Sequence, residues 1–366
     1  MPDWTKSMEQ SFEYYIVDPG TWRDQKKLNN ILDGAIDGDL EAETLGSATF
    51  NISDSVGECY IRPYLVTRQN GITERFPMGA FLVQTQKTEF DGKYTKVPID
   101  AYTPLLELKE NLPPLGYSIM KDSNIMDYAY RLTRERVRAP VVQTSIDEKL
   151  YSDFVANTDD TWLTFINDLM ANAKYHFGLD ELGRVIFMPN QDVDCLQPVW
   201  EFNDDNSSIL YPDLSTNRDM YGIPNVVEVS YSGATENYYT RVVNDNPNSP
   251  VSTVNRGREI THRVTNPEFA GEPTEGQIEI YAKNLLNQLS SIEYTVTFAH
   301  GYCPVRLGDC VRLNYSRAGI NGVKAKITKQ SIVCKPGCKV TETAIFTKNL
   351  WRLSLIHISE PTRLQL

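Results

Sequence analysis

Apolar and polar residues alternate in short runs along the first hundred residues, as in β-strands that bury one face. The run AFLVQTQ, which begins at Ala80, places Phe81, Val83 and Thr85 on one face of a strand. A further short run, SATFNIS, has the same character. Several short strands with tight turns predict a small antiparallel β-barrel or sandwich over residues 1–110.

Two turn dipeptides separate these runs. Asn70-Gly71 lies between CYIRPYLVTRQ and ITERF, and Asp91-Gly92 lies between GAFLVQTQKTEF and KYTKVPIDAY. Both dipeptides tolerate the positive φ angles of the type I′ turn, whose twist matches that of paired strands. The sequence therefore predicts a β-hairpin at each place.

The spacing of apolar residues becomes helical after TPLLELKENLPPLGY. Ser123 stands where a helix cap is expected. A second helix is expected after the two aspartates at 159 and 160, and YHFGLDELGRVIFMP reads as a hairpin whose loop runs from Asp180 to Gly183. Residues 111–200 are thus predicted to be an α/β insertion. The apolar faces of its helices consist of Ile125, Met126, Ala129 and Leu132, then Trp162, Phe165, Ile166, Leu169, Met170 and Ala173.

Strand patterns return from Trp200 onward, in NVVEVSYSG, YYTRVVND and REITHRV. The TEGQ sequence at 274–277 has the spacing of a capping box and predicts a helix over 274–290. Its apolar stripe consists of Ile278, Tyr281, Leu285 and Leu289. The closing runs are IEYTVTFAH, CVRLNYS, VKAKITKQSIVC and KVTETAIFT, with a type I′ hairpin predicted at Asn321-Gly322.

The pattern predicts a mixed β and α+β fold class, with a β-rich module at each end of the chain and α/β insertions between and within them. The second module occupies residues 201–350 and contains the 274–290 helix. The family resemblance given below implies that the two modules are small antiparallel β-barrel domains. The segment LSLIHISEPTR, at 353–363, resembles the translated read-through of a sequencing-library adapter. Residues 351–366 are therefore predicted to be an artefactual tail and are excluded from functional reasoning.

Composition and charge limit the number of domains and the classes of binding partner that are expected. The 366 residues exceed what one hydrophobic core usually organises, so two to three domains are expected. A formal net charge of -12 gives little electrostatic support for a nucleic-acid surface. Arg131, Arg134 and Arg138 are expected to share one helix face, either solvated or paired with acidic neighbours. No apolar run reaches the roughly 18 residues of a membrane helix, so no membrane contact is predicted.

No constellation of residues predicts catalysis or a cofactor. His176 and His262 lie in strand-like runs and are expected to be structural, and His300 precedes a glycine turn without a ligand at metal spacing. No G-x-S-x-G elbow and no protease-like cysteine signature occur. The expectation is a protein that is not an enzyme, with no catalytic residue and no cofactor.

Four cysteines near one end leave three alternatives open, namely a metal site, a disulfide and a structural role. The spacings are x6 and x3 rather than the x2 of zinc knuckles, so the match to a metal site is poor. The opening MPDWTKSMEQ does not read as a signal peptide, which favours reduced thiols in a cytoplasm. The favoured interpretation is small buried sulfurs at barrel corners, with a disulfide across the KPG turn as the alternative. The four residues are Cys303, Cys310, Cys334 and Cys338.

Several segments together resemble the baseplate hub proteins of tailed bacteriophages. EAETLGSATFNIS with the YLVTRQNG hairpin is similar to the first barrel of that family, and the hairpin turn is Asn70-Gly71. PNVVEVSYSG, the 274–290 helix, YTVTFAHGYCPVRLGDCVRL and the Asn321-Gly322 signal are similar to the second barrel. Within it, a φ-x-x-GD-x-V-x-φ element is carried by Leu307, Gly308, Asp309, Val311 and Leu313.

The resemblance implies a structural virion protein that forms a trimeric hub at the tail tip. Its implied partners are two further copies of itself, a tail tube or distal tail protein, and a spike or fibre protein. It implies assembly in the bacterial cytoplasm and a place in the virion tail. Two alternatives stay open: a tail-associated cell-wall hydrolase and a module that binds a host glycan.

Overall fold

The computed structural model describes residues 2–349 except 91, 94, 192, 206–208, 219, 233–236 and 268–272. Most of the regular structure in this part is β-strand. The strands are β1 (Glu9–Val17), β2 (Asp24–Leu28), β3 (Ile31–Asp39), β4 (Gly46–Ile52), β5 (Tyr60–Gln69), β6 (Ile72–Pro77), β7 (Phe81–Gln86), β8 (Glu89–Phe90), β9 (Thr95–Tyr102), β10 (Ser118–Ile119), β11 (Phe154–Val155), β12 (Tyr175–Leu179), β13 (Val185–Pro189), β14 (Trp200–Asn203), β15 (Leu210–Arg218), β16 (Val226–Ser232), β17 (Asn237–Val243), β18 (Thr261–Thr265), β19 (Ser291–Gly301), β20 (Cys310–Tyr315), β21 (Ile320–Val333) and β22 (Lys339–Asn349).

Helices are few and short. The α-helices are α1 (Leu106–Lys109), α2 (Ile125–Arg134), α3 (Trp162–Ala171), α4 (Thr253–Arg256) and α5 (Glu275–Leu289). Single 3₁₀ turns occur at Val193–Cys195 and Ser316–Ala318. None of the helices in the described part of the chain has the length and apolar run needed to cross a bilayer. The β-rich, mixed character predicted from the sequence is confirmed.

The chain divides into two compact units. Unit 1 comprises Met1–Leu214 and Thr297–Ala344, and unit 2 comprises Ser215–Val296 and Ile345–Leu366. The predicted domain boundaries near residues 110 and 200 stay a prediction. The predicted artefactual tail at 351–366 lies outside the described residues.

One extended sheet contains most of the described strands, in the order β15-β19-β22-β21-β3-β4-β9-β7-β5-β1-β2. The β3–β21 pairing joins strands almost 300 positions apart, for example Lys329 opposite Asp39. Strand β14 adds to β20 in parallel, although the sequence predicted purely antiparallel pairing there. The pairings among described residues form an open, branched path, and the predicted closure into two barrels stays a prediction.

The hairpin predicted at Asn70-Gly71 is confirmed. These two residues have φ angles of 51° and 79°, and β5 pairs with β6 directly across them, with Gln69 opposite Ile72. The second predicted hairpin joins β8 to β9. Its Gly92 has a φ of 92°, while Asp91 lies outside the described residues.

A bulge in β7 changes the face of one predicted residue. Val83 pairs with Ala101, and Thr85 pairs with the preceding residue, Asp100. Gln84 is therefore an extra residue in the strand. Successive residues of a strand face opposite sides, so Thr85 lies on the side opposite Val83. The prediction that Val83 and Thr85 share a face was wrong for this reason.

The hairpin between β20 and β21 forms, but Asn321-Gly322 is not its turn. The chain reverses through Ser316–Ala318 and Gly319, whose φ is 73°. Gly322 lies inside β21 with a φ of 64°, and its N–H donates to Oδ1 of Asn314 at 2.7 Å. The predicted turn was wrong because this glycine allows an irregular register between the strands instead.

The core of the insertion lies between α2, α3 and the β12–β13 hairpin. The predicted apolar residues of both helices are buried, except that Ala173 lies two residues beyond the end of α3 and is half-buried. Ser123 was predicted as the cap of α2, and the cap is Asn124. Its side chain accepts from the N–H of Asp127 at 3.0 Å and donates to the carbonyl of Ile146 at 2.7 Å.

Helix α5 packs against the three-stranded sheet β17-β16-β18 in unit 2. The predicted capping box is present between Thr274 and Gln277. Three side chains at helical spacing, Ile278, Ala282 and Leu286, are fully buried against the sheet. The predicted stripe residues Tyr281, Leu285 and Leu289 flank them and are partly buried.

We predict that Asn124→Ala lowers the free energy of unfolding by about 1 kcal/mol or slightly more, because it removes the cap of α2. Ser123→Ala is the matched control and should change stability by less than about 0.5 kcal/mol. Urea unfolding monitored by circular dichroism measures both values. A larger loss in the Ser123 variant would contradict the assignment of the cap.

Candidate functional site

The loop of the β12–β13 hairpin, residues Asp180–Gly183, lies in the predicted insertion, and we call it the insertion loop. Its shape comes from the Asp180 side chain. Oδ1 accepts from the N–H groups of Leu182 and Arg184 at 3.0 and 2.8 Å. Oδ2 pairs with the Arg184 guanidinium at 2.5 Å. Local Asx bonding of this kind fixes a turn without help from the rest of the fold.

The insertion loop lies directly against the segment between β6 and β7. The N–H of Gly79 donates to the carbonyl of Glu181 at 2.7 Å. Gly183 has a φ of 72°, and a Cβ built there would lie 2.6 Å from the Cβ of Ala80. Only glycine satisfies both conditions, since any side chain would clash and strain the backbone.

Two donors, one from the β1–β2 connection and one from β5, meet on one acceptor in this loop, the carbonyl oxygen of Leu182. The indole Nε1 of Trp22 donates to it at 2.8 Å, and Nη2 of Arg62 donates at 3.0 Å. Arg62 is buried, and its Nη1 pairs with Asp24 at 2.8 Å. A buried guanidinium that lacked these acceptors would be strongly destabilising, so this contact orders the loop.

The φ-x-x-GD element predicted from the sequence forms the turn before β20. Gly308 has a φ of 90°, and its N–H donates to the carbonyl of Ile327 at 2.9 Å. The carbonyl of Asp309 accepts from the N–H of Ile327 at 2.9 Å, and its carboxylate accepts from the N–H of Arg306. Burial raises the pKa of Asp309. Val311 and Leu313 follow as buried residues of β20.

A cavity of about 160 Å³ lies where this turn, β3 and the insertion loop meet in unit 1. Its wall is mainly apolar and includes Ile36, Phe81, Phe177, Met188 and Leu307. The Arg306 guanidinium forms an ion pair with Glu181 beside it. The cavity can hold a small apolar group, since its charged neighbours Asp180 and Glu181 already pair with arginines.

The cysteines carry no disulfide, so the predicted alternative across the KPG turn is wrong for this structure. Cys334 and Cys338 lie at the two ends of that turn, and both are buried, as are Cys303 and Cys310. Burial raises the pKa of Cys334 to about 12 and raises the pKa of Cys303 and Cys338 as well. In the described part of the chain, no three His, Cys, Asp or Glu side chains could together hold a metal ion.

The histidines occupy three different environments. His176 is half-buried in β12, where burial lowers its pKa, and His262 is exposed on β18. His300 was expected before a glycine turn, but it lies within β19 and is fully buried. Its Nε2 lies 3.3 Å from Oε1 of Glu342 in β22. The sequence analysis missed this pair, although His300 continues the buried alternation of Val296 and Phe298.

The predicted arginine stripe is only partly present. Helix α2 ends at Arg134, so Arg138 lies beyond it, and the prediction of one shared helix face was wrong. The Arg138 guanidinium pairs with Glu107 and with Glu58 instead. The guanidinium of Arg131 lies 4.3 Å from the centre of the Tyr128 ring, a cation–π contact.

Comparison with known proteins gives a match by fold. No protein-family model and no curated protein matches the sequence. A tail protein from Neisseria meningitidis MC58 is similar with a TM-score of 0.62 at 12% identity, over 93% of this chain and 98% of that one. The 43 kDa tail protein of prophage MuSo2 from Shewanella oneidensis is similar with a TM-score of 0.59 at 9% identity, over 92% and 98%.

A chain of the Francisella PdpA–VgrG complex is also similar, with a TM-score of 0.56 at 11% identity. The match covers 95% of this chain but only 53% of that chain. At these identities the comparisons establish the fold. The chain therefore has the fold of phage and prophage tail proteins over nearly its whole length.

We predict that maleimide labels Cys195 fastest in the native protein at pH 8, because its side chain is exposed. Cys59 is half-buried and should react more slowly. The buried Cys303, Cys310, Cys334 and Cys338 should stay unlabelled until denaturant is added. Mass spectrometry of digested samples measures each site, and fast labelling at Cys334 would contradict the buried placement.

Proposed function

We propose that the protein is a structural, non-enzymatic component of a phage-type tail baseplate, where it forms a trimeric hub. The hub joins the tail tube to a distal spike or fibre protein, and it assembles in the bacterial cytoplasm before entering the virion tail. The observation that carries the proposal is the fold match over 93% of this chain and 98% of the Neisseria tail protein.

Packing in unit 1 supports the first of two proposed barrels. The path β1-β5-β7-β9-β4-β3-β21 returns toward its start, because the N–H of Gly337, just after β21, donates to the side chain of Gln10 in β1 at 3.1 Å. Aromatic rings from three strands of this path meet, with Phe50 lying 5.7 Å from Tyr14 and 6.4 Å from Phe81. Side chains that converge in this way are typical of the interior of a small barrel.

The second barrel is proposed from the strands that follow β14. Strands β14, β20 and β21 pair in unit 1, and the φ-x-x-GD turn leads into β20. Buried Phe202 and Phe298 come from β14 and β19, with ring centres 5.1 Å apart. These contacts support a second apolar interior, which shares β21 with the first.

A spike partner is consistent with the similarity to a chain of the PdpA–VgrG complex. That chain is about twice as long as the region it shares with this protein.

The oligomeric state tests the proposal. Light scattering coupled to size exclusion should give a mass three times that of the 41.6 kDa chain. The trimer should form either with rising concentration or on addition of a tail-tube protein. A bulky change at one wall, Gly38→Trp, tests in parallel whether the apolar cavity takes part in the assembly.

Three results would count against the hub. A monomer at every concentration, with and without the tube protein, excludes a trimeric ring. Turnover of purified peptidoglycan that one carboxylate substitution abolishes would instead favour a tail-associated hydrolase. Saturable binding of a host glycan by a monomer would favour the glycan-binding module.

A further inference from the structure

Two ionisable side chains are buried together in unit 1, away from the insertion loop. His300 of β19 and Glu342 of β22 are both fully buried. The imidazole lies among aromatic rings, with its centre 4.6 Å from Phe202 and 5.9 Å from Phe298. Burial of two such groups is destabilising unless their charges and hydrogen bonds are matched, so the positions of their protons matter.

One ring nitrogen of His300, Nδ1, is a hydrogen-bond donor. Nδ1 of His300 lies 2.6 Å from the carbonyl oxygen of Gly301. A carbonyl oxygen can only accept, so Nδ1 carries a hydrogen and donates it. The Cys303 sulfur lies 3.8 Å from the same nitrogen, and it does not displace this bond.

A neighbouring amide defines the role of the carboxyl oxygen. Nε2 of Gln330 lies 2.9 Å from the carbonyl of Val305, which fixes this atom as the amide nitrogen. The same nitrogen donates to Oε1 of Glu342 at 2.8 Å. Oε1 therefore already accepts one hydrogen bond before the histidine is considered.

The contact between Nε2 of His300 and Oε1 of Glu342 then needs a proton. If the histidine were neutral and the glutamate ionised, two lone pairs would face each other at 3.3 Å. Among the residues that the structure describes, Oε2 of Glu342 has no hydrogen-bond partner, so no donor besides Gln330 offsets the charge. A proton on either side, as imidazolium with carboxylate or imidazole with carboxylic acid, removes the conflict.

We propose that the His300–Glu342 pair holds one proton that the native fold requires. The contact of His300 in β19 with Glu342 in β22 stabilises the fold only while the pair holds this proton. It therefore weakens when the solution becomes alkaline. This property is independent of the proposed hub, because it rests on hydrogen bonds within one chain.

The sign of the pH dependence follows from the proton count. In the unfolded chain, a free glutamic acid loses its proton near pH 4.3 and a free imidazole near pH 6.5. Between these values the unfolded pair holds one proton, as the native pair does. Above about pH 6.5 the unfolded pair holds none, so the folding equilibrium constant falls up to tenfold per pH unit from this pair.

Cys303 is a further titratable group at the pair. Its ionisation changes stability only at higher pH. Burial and the nearby Glu342 raise the pKa of this thiol. A raised thiol pKa gives stability that is present below the unfolded value and lost above about pH 8.5. Between pH 6.5 and 8, the contribution of the pair to the pH dependence of the folding constant is therefore separated from that of Cys303.

The test compares the wild type with His300→Gln/Glu342→Gln. In this double variant the amide at 300 can donate to the amide oxygen at 342, which also accepts from Gln330, and no bound proton is needed. His176→Gln is the matched control, because it removes a half-buried histidine elsewhere. Urea unfolding at pH 6.5, 7.25 and 8 measures the folding constant of each protein.

The expected result is a folding constant that falls more steeply with pH in the wild type than in the double variant, by up to tenfold per unit. The control should keep the steep fall. Equal slopes in the wild type and the double variant would overturn the proposal.

A measurement on the wild type alone remains decisive if the double variant does not fold. Nitrogen-15 NMR of labelled histidines at pH 8 should show a protonated Nδ1 at His300. It should also show either a protonated Nε2 or a hydrogen bond from the carboxylic acid to Nε2. A bare Nε2 without such a bond would overturn the proposal.

Discussion

One carbonyl oxygen, that of Leu182, connects the α/β insertion to the N-terminal strands. It accepts from the indole of Trp22 and from the buried guanidinium of Arg62. Asp24 of β2 matches the charge of the guanidinium, and the Leu182 carbonyl accepts one of its hydrogen bonds only while the loop is in place. The close approach of Gly183 to Ala80 depends on the same placement. Arg306 then pairs with Glu181 of this loop, which links the φ-x-x-GD region to the insertion.

This contact couples the β12–β13 hairpin to the N-terminal part of unit 1. The β12–β13 hairpin is fixed at its tip by polar contacts and at its base by the apolar core of α2 and α3. Fifteen of the described strands form one extended sheet, whose β3–β21 pairing joins strands from the two ends of the chain. Such a scaffold has the fold of phage tail proteins, and the proposed hub needs a rigid sheet of this kind to dock against its partners.

Local features could be predicted from the sequence, and long-range ones could not. Asn70-Gly71 and the Thr274–Gln277 capping box depend on a few adjacent residues, so their patterns were sufficient. Gly322 was misassigned because a glycine with positive φ serves a bulge as well as a turn. The contact of Arg62 with Leu182 and that of His300 with Glu342 depend on pairing across 120 and 42 positions, which no local pattern encodes.

Hydrogen exchange in Arg62→Met tests most directly whether the contact of Arg62 with the Leu182 carbonyl holds the insertion loop in place. Arg68→Met is the control, because Arg68 lies exposed on the same strand. The account predicts faster exchange at the amide of Gly79 and across residues 175–189, with the β3–β21 amides less affected. The control should exchange like the wild type. Unchanged protection of the insertion loop in Arg62→Met would contradict the account.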